Sequence, residues 1–366
     1  MASSPAALVH RRVDGWLLGG LGVVAWIVLT PLPGATAPIL GSLGVVTTWV
    51  LISITAAHFG VTYHLAYSRG SRSVREHPVA LLWVPVGLAV ASITVGMLLA
   101  TDAIGDAEWL LRALLITAFT LTGWHYIKQA YGVAVLTLRM RGARPTTGEV
   151  ALLRYGFYPV WFVDLLDVWA RGRNSYSYGY DVNVGLLPAS VRTAADVVAV
   201  VLCFAVLGAV ARASHRAGIR APLGAWAPYV VGILWFVAAP TTLAAPLVLG
   251  ALHGLQYLTV VHRTELTQAV QLGERPMVFW WCVFGGATAG GLLLSKWLPG
   301  ILERATPSVG LPMVSTVLLF TALNLHHYAM DAAVWRSQGP HLRRLLPQAP
   351  DTAALADDVR HAELTA

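Results

Sequence analysis

The sequence predicts an all-α, polytopic integral membrane bundle of about ten transmembrane helices, with both termini cytoplasmic. Two observations predict this class. Of the 366 residues, 56% are hydrophobic and only 12% are charged, whereas soluble domains carry about 25% charged residues. Apolar runs near twenty residues also recur along the chain, and each is long enough to cross a hydrocarbon core about 30 Å thick. The lipid bilayer is therefore the predicted solvent of most of the chain.

The individual spans follow from apolar runs that are punctuated by Gly, Pro and charged residues. They are predicted near residues 14–32, 40–67, 78–100, 109–137, 149–169, 194–213, 224–240, 242–262, 276–298 and 311–335. The fifth is the most polar, because Arg154, Asp164 and Asp167 interrupt it. It is expected to lie partly in the interface or against a protein-lined cavity. The domain organisation is one transmembrane domain, 1–336, and a cytoplasmic tail, 337–366.

The orientation follows from the arginines, which concentrate in alternate connections between the predicted spans. These are Arg11 and Arg12; Arg69, Arg72 and Arg75; Arg139, Arg141 and Arg144; Arg212, Arg216 and Arg220; Arg263 and Arg275; and Arg336, Arg343 and Arg344. The positive-inside rule places these connections and both termini in the cytoplasm. The same rule accounts for the net charge of +7 without nucleic acid as a partner. Arginine so outnumbers lysine that a GC-rich bacterium is the expected source, which places the chain in a bacterial inner membrane.

Seven of the twelve histidines fall inside predicted spans, and all of these spans are even-numbered. They are His58 and His64 on the second, His125 on the fourth, His253 and His262 on the eighth, and His326 and His327 on the tenth. Because even-numbered spans run from outside to inside, these histidines share the middle-to-cytoplasmic depth. Strongly polar groups in a span cost several kcal/mol unless they find partners, so such a layer indicates function. Neutral imidazole is a common ligand of iron, copper and zinc, and the seven are candidate metal ligands.

One histidine on each of the four spans is followed by a polar residue about one helical turn further along the chain. These are Thr62 after His58, Gln129 after His125, Gln256 after His253, and Asp331 after His327. Spacings of three or four place both side chains on one helix face. Thr62, Gln129 and Gln256 suit the hydrogen-bonding shell that orients ligand imidazoles. For Asp331 the expectation is metal ligation, ahead of pairing with Arg336 or capping the bundle.

Some members of this set have competing interpretations. His64 and His262 lie near the water interface and also suit interfacial or helix-bridging roles. Neighbouring positions on a helix point about 100° apart, which favours only one of His326 and His327 facing the centre. Proton relay or structural hydrogen bonding is the alternative to metal binding for the whole set. Cys203 and Cys282 form no motif, so a thiolate metal site or a disulfide framework is not indicated.

Catalytic residues are not defined by any motif, but tyrosines accompany the histidines at the same depth. Tyr257 and Tyr328 are the candidates to supply protons or hydrogen bonds to a reacting group. Tyrosines of an interfacial aromatic belt would show a similar distribution.

The segments HFGVTYH, from His58 to His64, and the pair His326-His327 resemble the histidine boxes HxxxH and HxxHH of membrane di-iron enzymes. That class includes desaturases, lipid hydroxylases and alkane-type monooxygenases. More loosely, the chain resembles the bacterial membrane oxygenases that cleave carotene to retinal. The resemblance covers four short segments and transfers no residue role. It implies iron, dioxygen and a lipid or isoprenoid substrate.

The expected function is a membrane-embedded, metal-dependent oxidoreductase that uses one or two iron ions on a lipid or isoprenoid substrate taken from the bilayer. Membrane lipids and an electron donor are the further expected partners. Two other classes stay open. Histidine pairs on facing helices would suit a b-type haem protein or electron carrier, and polar groups at mid-membrane would suit a proton-coupled transporter.

Overall fold

The computed structural model describes residues 7–10, 12–29, 45–101, 107–169, 176–238, 245–305, 313–335 and 345. Within these ranges the chain is helical apart from short connections and one antiparallel pair of strands, β1 (Tyr176–Ser177) and β2 (Tyr180–Asp181). The all-α prediction is confirmed for this part of the chain. The predicted tail 337–366 lies outside the described residues, apart from Leu345.

Twelve helices are numbered in chain order within the described ranges, and four of them include a π-helical segment. They are α1 (Trp16–Gly20 in π geometry, then Leu21–Leu29), α2 (Val45–Tyr67), α3 (Ser71–Glu76), α4 (π-helical Val79–Trp83, then Val84–Ala100), α5 (Ala107–Met140), α6 (Thr147–Tyr155), α7 (Tyr158–Trp169), α8 (Ala189–Arg216), α9 (Leu223–Gly232, then π-helical Ile233–Val237), α10 (Ala245–Leu272), α11 (Pro276–Leu292, π-helical Leu293–Trp297, then Leu298–Ala305) and α12 (Val314–Val334).

Five of the described helices are long and apolar enough to cross a membrane, which marks the chain as a helical membrane protein. They lie at Val46–Tyr67, Val79–Ala100, Glu108–Met140, Ala189–Arg216 and Pro276–Ala305. Two shorter apolar helices lie at Trp16–Val28 and Leu223–Val237. Helices α10 and α12 have spanning length but are more polar, since they carry histidines, amides and carboxylates. The count of ten spans and the cytoplasmic termini stay predictions.

The predicted fifth span, 149–169, is two helices in the structure, α6 and α7. A capping box begins α6: the Thr146 hydroxyl accepts from the Glu149 amide, and the Glu149 carboxylate accepts from the Thr146 amide. The Arg216 guanidinium at the end of α8 donates to both Glu149 carboxylate oxygens, and it holds the pKa of that carboxyl at about 2. Local capping and this ion pair therefore make α6 a separate element.

One of the charges that interrupt α7, Asp167, is paired with the neighbouring helix α8. The Arg192 Nε donates to Asp167 Oδ1 at 2.8 Å, and a second guanidinium nitrogen pairs with Asp196. Arg192 is 3% exposed. Burial of a charge requires such partners, so α7 and α8 pack as a unit.

Helix α11 packs antiparallel against α2 at backbone contact. A Cβ added at Gly60 would lie 2.0 Å from the Ala287 carbonyl oxygen, and one added at Gly291 would lie 1.9 Å from that of Ala56. Only glycine permits this approach. Because Gly60 follows His58 by two positions, the close packing also defines where that histidine lies.

Four helices, α2, α5, α10 and α12, run in the same direction. Along α5 and α12, Phe119 contacts Phe320 and, further on, His125 approaches Asp331. Contacts run in the same order along α2 and α10, where Gly254 lies against His58 and Glu265 against His64. They do so again along α5 and α10, where His125 meets His253 and Gln129 meets Gln256. This common direction is the one that alternate spans of a bundle share.

The parallel helices lie between two apolar cores. One core joins α5 to α6, α7, α8 and α9. The other joins α2, α10, α11 and α12. Side chains at mid-height of α2, α5, α10 and α12 therefore meet at the junction of the two cores, away from water.

Candidate metal centre

Four histidines from four helices meet at this junction: His58 of α2, His125 of α5, His253 of α10 and His327 of α12. Each offers one ring nitrogen, and these four atoms lie within 4.8 Å of one another. None of the four residues is more than 7% exposed. Helix α10 approaches α2 closely enough because position 254 is glycine, whose added Cβ would lie 3.2 Å from the His58 Cβ.

The four imidazoles form a closed ring of contacts. Ring centroids are separated by 4.8 Å for His58 and His253, 4.9 Å for His253 and His125, 5.0 Å for His125 and His327, and 4.5 Å for His327 and His58. The Nε2 atoms of His58 and His327 face each other at 3.0 Å. The planes of neighbouring rings are inclined by 69° to 89°, so the edges that carry the nitrogens converge.

Each of the four histidines has one buried ring nitrogen without a hydrogen bond: Nδ1 of His58 and His327, and Nε2 of His125 and His253. A buried polar atom left without a partner costs about 1–3 kcal/mol. The Nδ1 atoms of His58 and His327 lie on the other side of each ring from the Nε2 atoms that face each other, so only the unbonded Nε2 atoms of His125 and His253 can share an ion with that pair. Metal ligation is the role that imidazole nitrogens commonly fill in this situation.

The donor spacing fits one metal ion. An ion with bonds of about 2.1 Å places adjacent donors about 3.0 Å apart and opposite donors about 4.2 Å apart. The Nε2 atoms of His58 and His327 match the adjacent separation. The donor atoms of the group lie up to 4.8 Å apart, slightly more than is expected for donors on opposite sides of an ion. Small rotations of the side chains would close this difference. The cluster therefore could hold a metal ion with four nitrogen ligands.

Asp331 lies beside the four histidines and adds a carboxylate. Its Oδ2 is 3.4 Å from His125 Nε2 and 3.6 Å from His327 Nε2. Its Oδ1 accepts a hydrogen bond of 3.0 Å from the Tyr257 hydroxyl. Asp331 is 9% exposed, and in the described part of the chain its ion-pair partners are histidines rather than lysine or arginine. A bound cation would neutralise this buried charge.

Three tyrosine rings pack around the cluster. Tyr126 stacks on His253 with ring centroids 4.3 Å apart, and Tyr328 stacks on His125 at 4.6 Å. Tyr257 meets the His58 ring edge-on at 4.3 Å. Both sequence-predicted tyrosines, Tyr257 and Tyr328, thus contact a histidine of the group.

The hydroxyl of Tyr328 points away from Asp331 into a separate polar pair. It donates to the Asn324 side-chain oxygen at 2.9 Å and lies 2.5 Å from the Thr122 hydroxyl. Tyr257 is therefore the tyrosine whose hydroxyl is coupled to the carboxylate of the candidate centre.

The companions Thr62, Gln129 and Gln256 bond to backbone and to each other in place of the imidazoles. Thr62 donates to the His58 carbonyl at 3.0 Å. Gln129 donates to the His253 carbonyl at 2.9 Å and to the Gln256 side-chain oxygen at 3.0 Å. Gln256 donates to the Leu18 carbonyl at 2.6 Å. The two glutamines therefore join α1, α5 and α10 and hold the helices that carry His125 and His253, whereas Thr62 bonds within its own helix α2.

The other three predicted ligands lie outside the group of four. His326 points to a different side of α12, where its ring nitrogens lie 2.9 Å from the Tyr63 hydroxyl and 3.5 Å from that of Tyr67. His64 pairs with Glu265 at 3.3 Å. His262 packs edge-on against the Trp280 ring at 4.8 Å.

Two polar residues near these groups were not singled out from the sequence. Asn324 precedes Tyr328 by four positions, and this i, i+4 spacing of an amide and a phenol in an apolar span was the available signal. Glu265 is fully buried, and its Oε1 has no hydrogen-bond partner. The corresponding signal in the sequence was an acidic residue three positions after His262, just beyond the end of the predicted span 242–262.

The arrangement can bind a cation through four neutral imidazoles and one carboxylate, shielded from water by aromatic rings. Such a centre can act as a Lewis acid or, with a redox metal, exchange electrons. Comparison with known proteins adds no family to this geometry: the chain matches no protein family model, no curated protein and no solved structure.

Proposed function

We propose that this protein is a metal-dependent oxidoreductase of a bacterial inner membrane that binds iron at the four-histidine centre and oxidises a lipid or isoprenoid substrate. The proposal includes the arrangement of about ten spans with cytoplasmic termini. One observation carries it: His58, His125, His253 and His327 come from four different helices, all four are buried, and one donor nitrogen from each lies within 4.8 Å of the others.

Metal binding accounts for the cluster better than proton relay does. A relay runs along a line of donors and acceptors, whereas these four imidazoles form a closed ring with one member from each of four helices. The four neutral rings around a buried carboxylate instead form a set of lone pairs that converge on one point. A divalent cation satisfies these lone pairs and the charge of Asp331 together.

Iron suits the chemistry of the donors. Imidazole and carboxylate ligands suit iron, whereas clusters and soft metals favour thiolate; the two cysteines, Cys203 and Cys282, are free and lie outside the group. Haem is less well supported, because imidazoles whose centroids are 4.5 to 5.0 Å apart leave no flat slot between them for a porphyrin. The proposed centre is therefore non-haem iron.

An apolar substrate fits the surroundings of the centre. A groove of about 460 Å³ runs between α2 and α11, a volume typical of sites for small organic ligands. Its lining is apolar except for Tyr63 and His64, and it includes Gly60 of α2, the helix whose opposite face carries His58. A lipid or isoprenoid chain could enter such a groove sideways from the bilayer.

The residues of the chain have distinct roles in this proposal. The four histidines bind and orient the metal, and Asp331 balances its charge. Tyr257 holds Asp331 through its hydroxyl, and the aromatic walls exclude water that would quench reactive species. Iron, if bound, would activate dioxygen as the oxidant of the substrate, with electrons from the expected donor, while the protein supplies geometry and polarity.

The first test is metal analysis with an optical spectrum of the detergent-purified protein, applied to a matched pair of variants. His327→Gln removes a cluster ligand, whereas His326→Gln changes the adjacent buried histidine of the same helix. We expect near-stoichiometric iron without a Soret band in the wild type, its loss in His327→Gln, and its retention in His326→Gln. Iron retained equally in both variants would refute the ligand set. A Soret band would identify haem instead, and a wild type without bound metal would contradict the metal proposal and favour the transporter class.

The substrate class has its own test. Lipids and pigments are compared by mass spectrometry between a host strain with the gene and one without it. We expect an oxygenated or cleaved lipid or isoprenoid that is present only with the wild-type gene and is lost with His327→Gln. An unchanged lipid and pigment profile would count against this substrate class.

A further inference from the structure

A second, smaller cavity lies against His253, between helices that do not border the groove. It has a volume of about 40 Å³ and is bordered by α5, α9, α10 and the connection between α6 and α7. Ala130 of α5, Val231 of α9 and Leu252 of α10 contribute to its wall. The cavity therefore borders a residue of the candidate metal centre.

The wall of the cavity is apolar apart from Tyr126, His253 and Gln256. Gln256 is already occupied, since it donates to Leu18 and accepts from Gln129. His253 Nε2 is buried without a hydrogen bond. An apolar cavity tends to stay dry and to accept apolar gases, and this one has a candidate metal ligand in its wall.

Irregular helix geometry accounts for the space. Pro228 lies inside α9, where its missing N–H interrupts the hydrogen-bond ladder, and the helix then continues in π geometry from Ile233 to Val237. At the junction, a Cβ added at Gly232 would lie 2.3 Å from the Phe157 ring. Phe157 can line the cavity only because position 232 carries no side chain. Irregularities of this kind are frequent at functional sites.

We propose that this cavity is a binding site for a small apolar molecule, dioxygen, and delivers it to the metal centre beside His253. The volume is about three times the 10–15 Å³ that one water molecule needs, which admits a diatomic molecule and excludes a lipid chain. The role as a delivery site rests on the proposed function. The larger groove lies between α2 and α11, so the two apolar reactants would reach the centre from different helix pairs.

The site itself is tested with xenon, which replaces dioxygen as an inert apolar probe. Crystals of the full-length protein are pressurised with xenon, and the anomalous signal is located for the wild type and for Ala130→Leu, which fills the cavity. Ala194→Leu is the matched control, because Ala194 is exposed on α8. We expect a xenon atom beside His253 in the wild type and in Ala194→Leu, and its loss in Ala130→Leu. No xenon there in the wild type would overturn the proposal, whether or not the protein binds metal.

Delivery is tested with nitric oxide as a dioxygen surrogate that binds ferrous iron. The association rate with the Fe(II)-loaded protein is measured by stopped-flow absorbance. We expect Ala130→Leu to slow association about tenfold with unchanged iron content, because overpacking raises the barrier to entry. Leu252→Ala widens the same cavity without overpacking the core, and we expect it to accelerate nitric oxide association.

The two proposals fail in distinguishable ways. Xenon in the cavity of a protein that retains no iron would refute the metal centre and leave the apolar site in place. Iron at full content with nitric oxide association rates unchanged in both Ala130→Leu and Leu252→Ala would refute delivery through this cavity and leave the metal centre in place.

Discussion

Replacing Tyr257 by Phe should weaken metal binding at the four-histidine centre while the fold stays intact. The substitution removes only the hydroxyl that donates to Asp331 Oδ1 at 3.0 Å. The ring that meets His58 at 4.3 Å remains, so packing is preserved. Asp331, whose other oxygen lies 3.4 Å from His125 Nε2, then loses the hydrogen bond from the Tyr257 hydroxyl.

The size of the effect follows from this one bond. Hydrogen bonds to a charged group are worth about 1.5–3 kcal/mol, and Asp331 is 9% exposed, so little water is present to replace the hydroxyl. Loss of a group that orients a metal ligand typically costs about 10–100-fold in affinity, which corresponds to about 1.4–2.8 kcal/mol. The two ranges agree, and a tenfold to hundredfold loss is expected.

The assay is a competition between the purified protein and a chelator of known affinity, with bound iron measured after separation. Tyr328→Phe is the matched control. Tyr328 also stacks on a histidine of the group, His125, but its hydroxyl bonds to Asn324 and Thr122.

Two results would refute the reasoning. Equal affinity in the wild type and Tyr257→Phe would mean that Asp331 does not contribute to metal binding. An equal loss in Tyr328→Phe would mean that the effect comes from tyrosines in general and not from the bond to Asp331.

Three further predictions concern stability, each measured as the Tm of the detergent-solubilised protein. Gly60→Ala should destabilise by about 1–3 kcal/mol through overpacking against α11, whereas Gly285→Ala, where an added Cβ meets no atom within 4 Å, should be neutral; similar Tm values for both would contradict the backbone contact. Iron at about 100 times its Kd should stabilise the wild type by about 2.7 kcal/mol and leave His58→Gln unaffected, and an equal shift in both would place the bound ion elsewhere. The pKa of Glu149 is lowered in the folded protein, so its ionised carboxylate stabilises the fold at pH values above the ordinary carboxyl pKa. This stabilisation is lost as the pH falls from about 4.3 toward 2. Glu149→Gln should therefore lower the Tm near neutral pH and make the Tm decrease less as the pH is lowered. If the Tm of the variant decreases in acid as much as that of the wild type, other carboxylates cause the decrease.

The helices that carry the centre could be predicted from the sequence because a helix is a local property. The predicted spans 40–67, 109–137, 242–262 and 311–335 correspond to α2, α5, α10 and α12, although α10 continues to Leu272. The common direction of the four, read from alternate arginine-rich connections, agrees with their contacts. The prediction of one span at 149–169 was wrong, because capping and ion pairing at Glu149 make α6 a helix separate from α7.

Four of the seven predicted histidine ligands meet in the structure, and helix geometry explains the other three. At about 100° per residue, His64 lies about 240° around α2 from His58, and His262 lies about 180° around α10 from His253. Helical periodicity alone thus contained the signal that these two face elsewhere. For His326 and His327 the same rule separates the pair but does not say which one faces inward.

The amides show what periodicity could not supply. Gln129 and Gln256 share a helix face with His125 and His253, as predicted, yet they bond to each other and to backbone carbonyls. Their partners depend on how far one helix is shifted along another. That shift is set by contacts such as Gly254 against His58, which involve both helices at once.

The sequence by itself determined that this is a helical membrane protein, which helices are polar, and which of them carry the histidines. Apolar length, arginine position and residue spacing are local quantities, and each is written in about twenty consecutive residues. Only the tertiary structure decided that His58 and His327, 269 positions apart, face each other at 3.0 Å, and that His326 turns to the Tyr63 hydroxyl instead. The physical reason is that helix rotation and shift are set by side-chain packing between distant segments, and that packing has no local pattern.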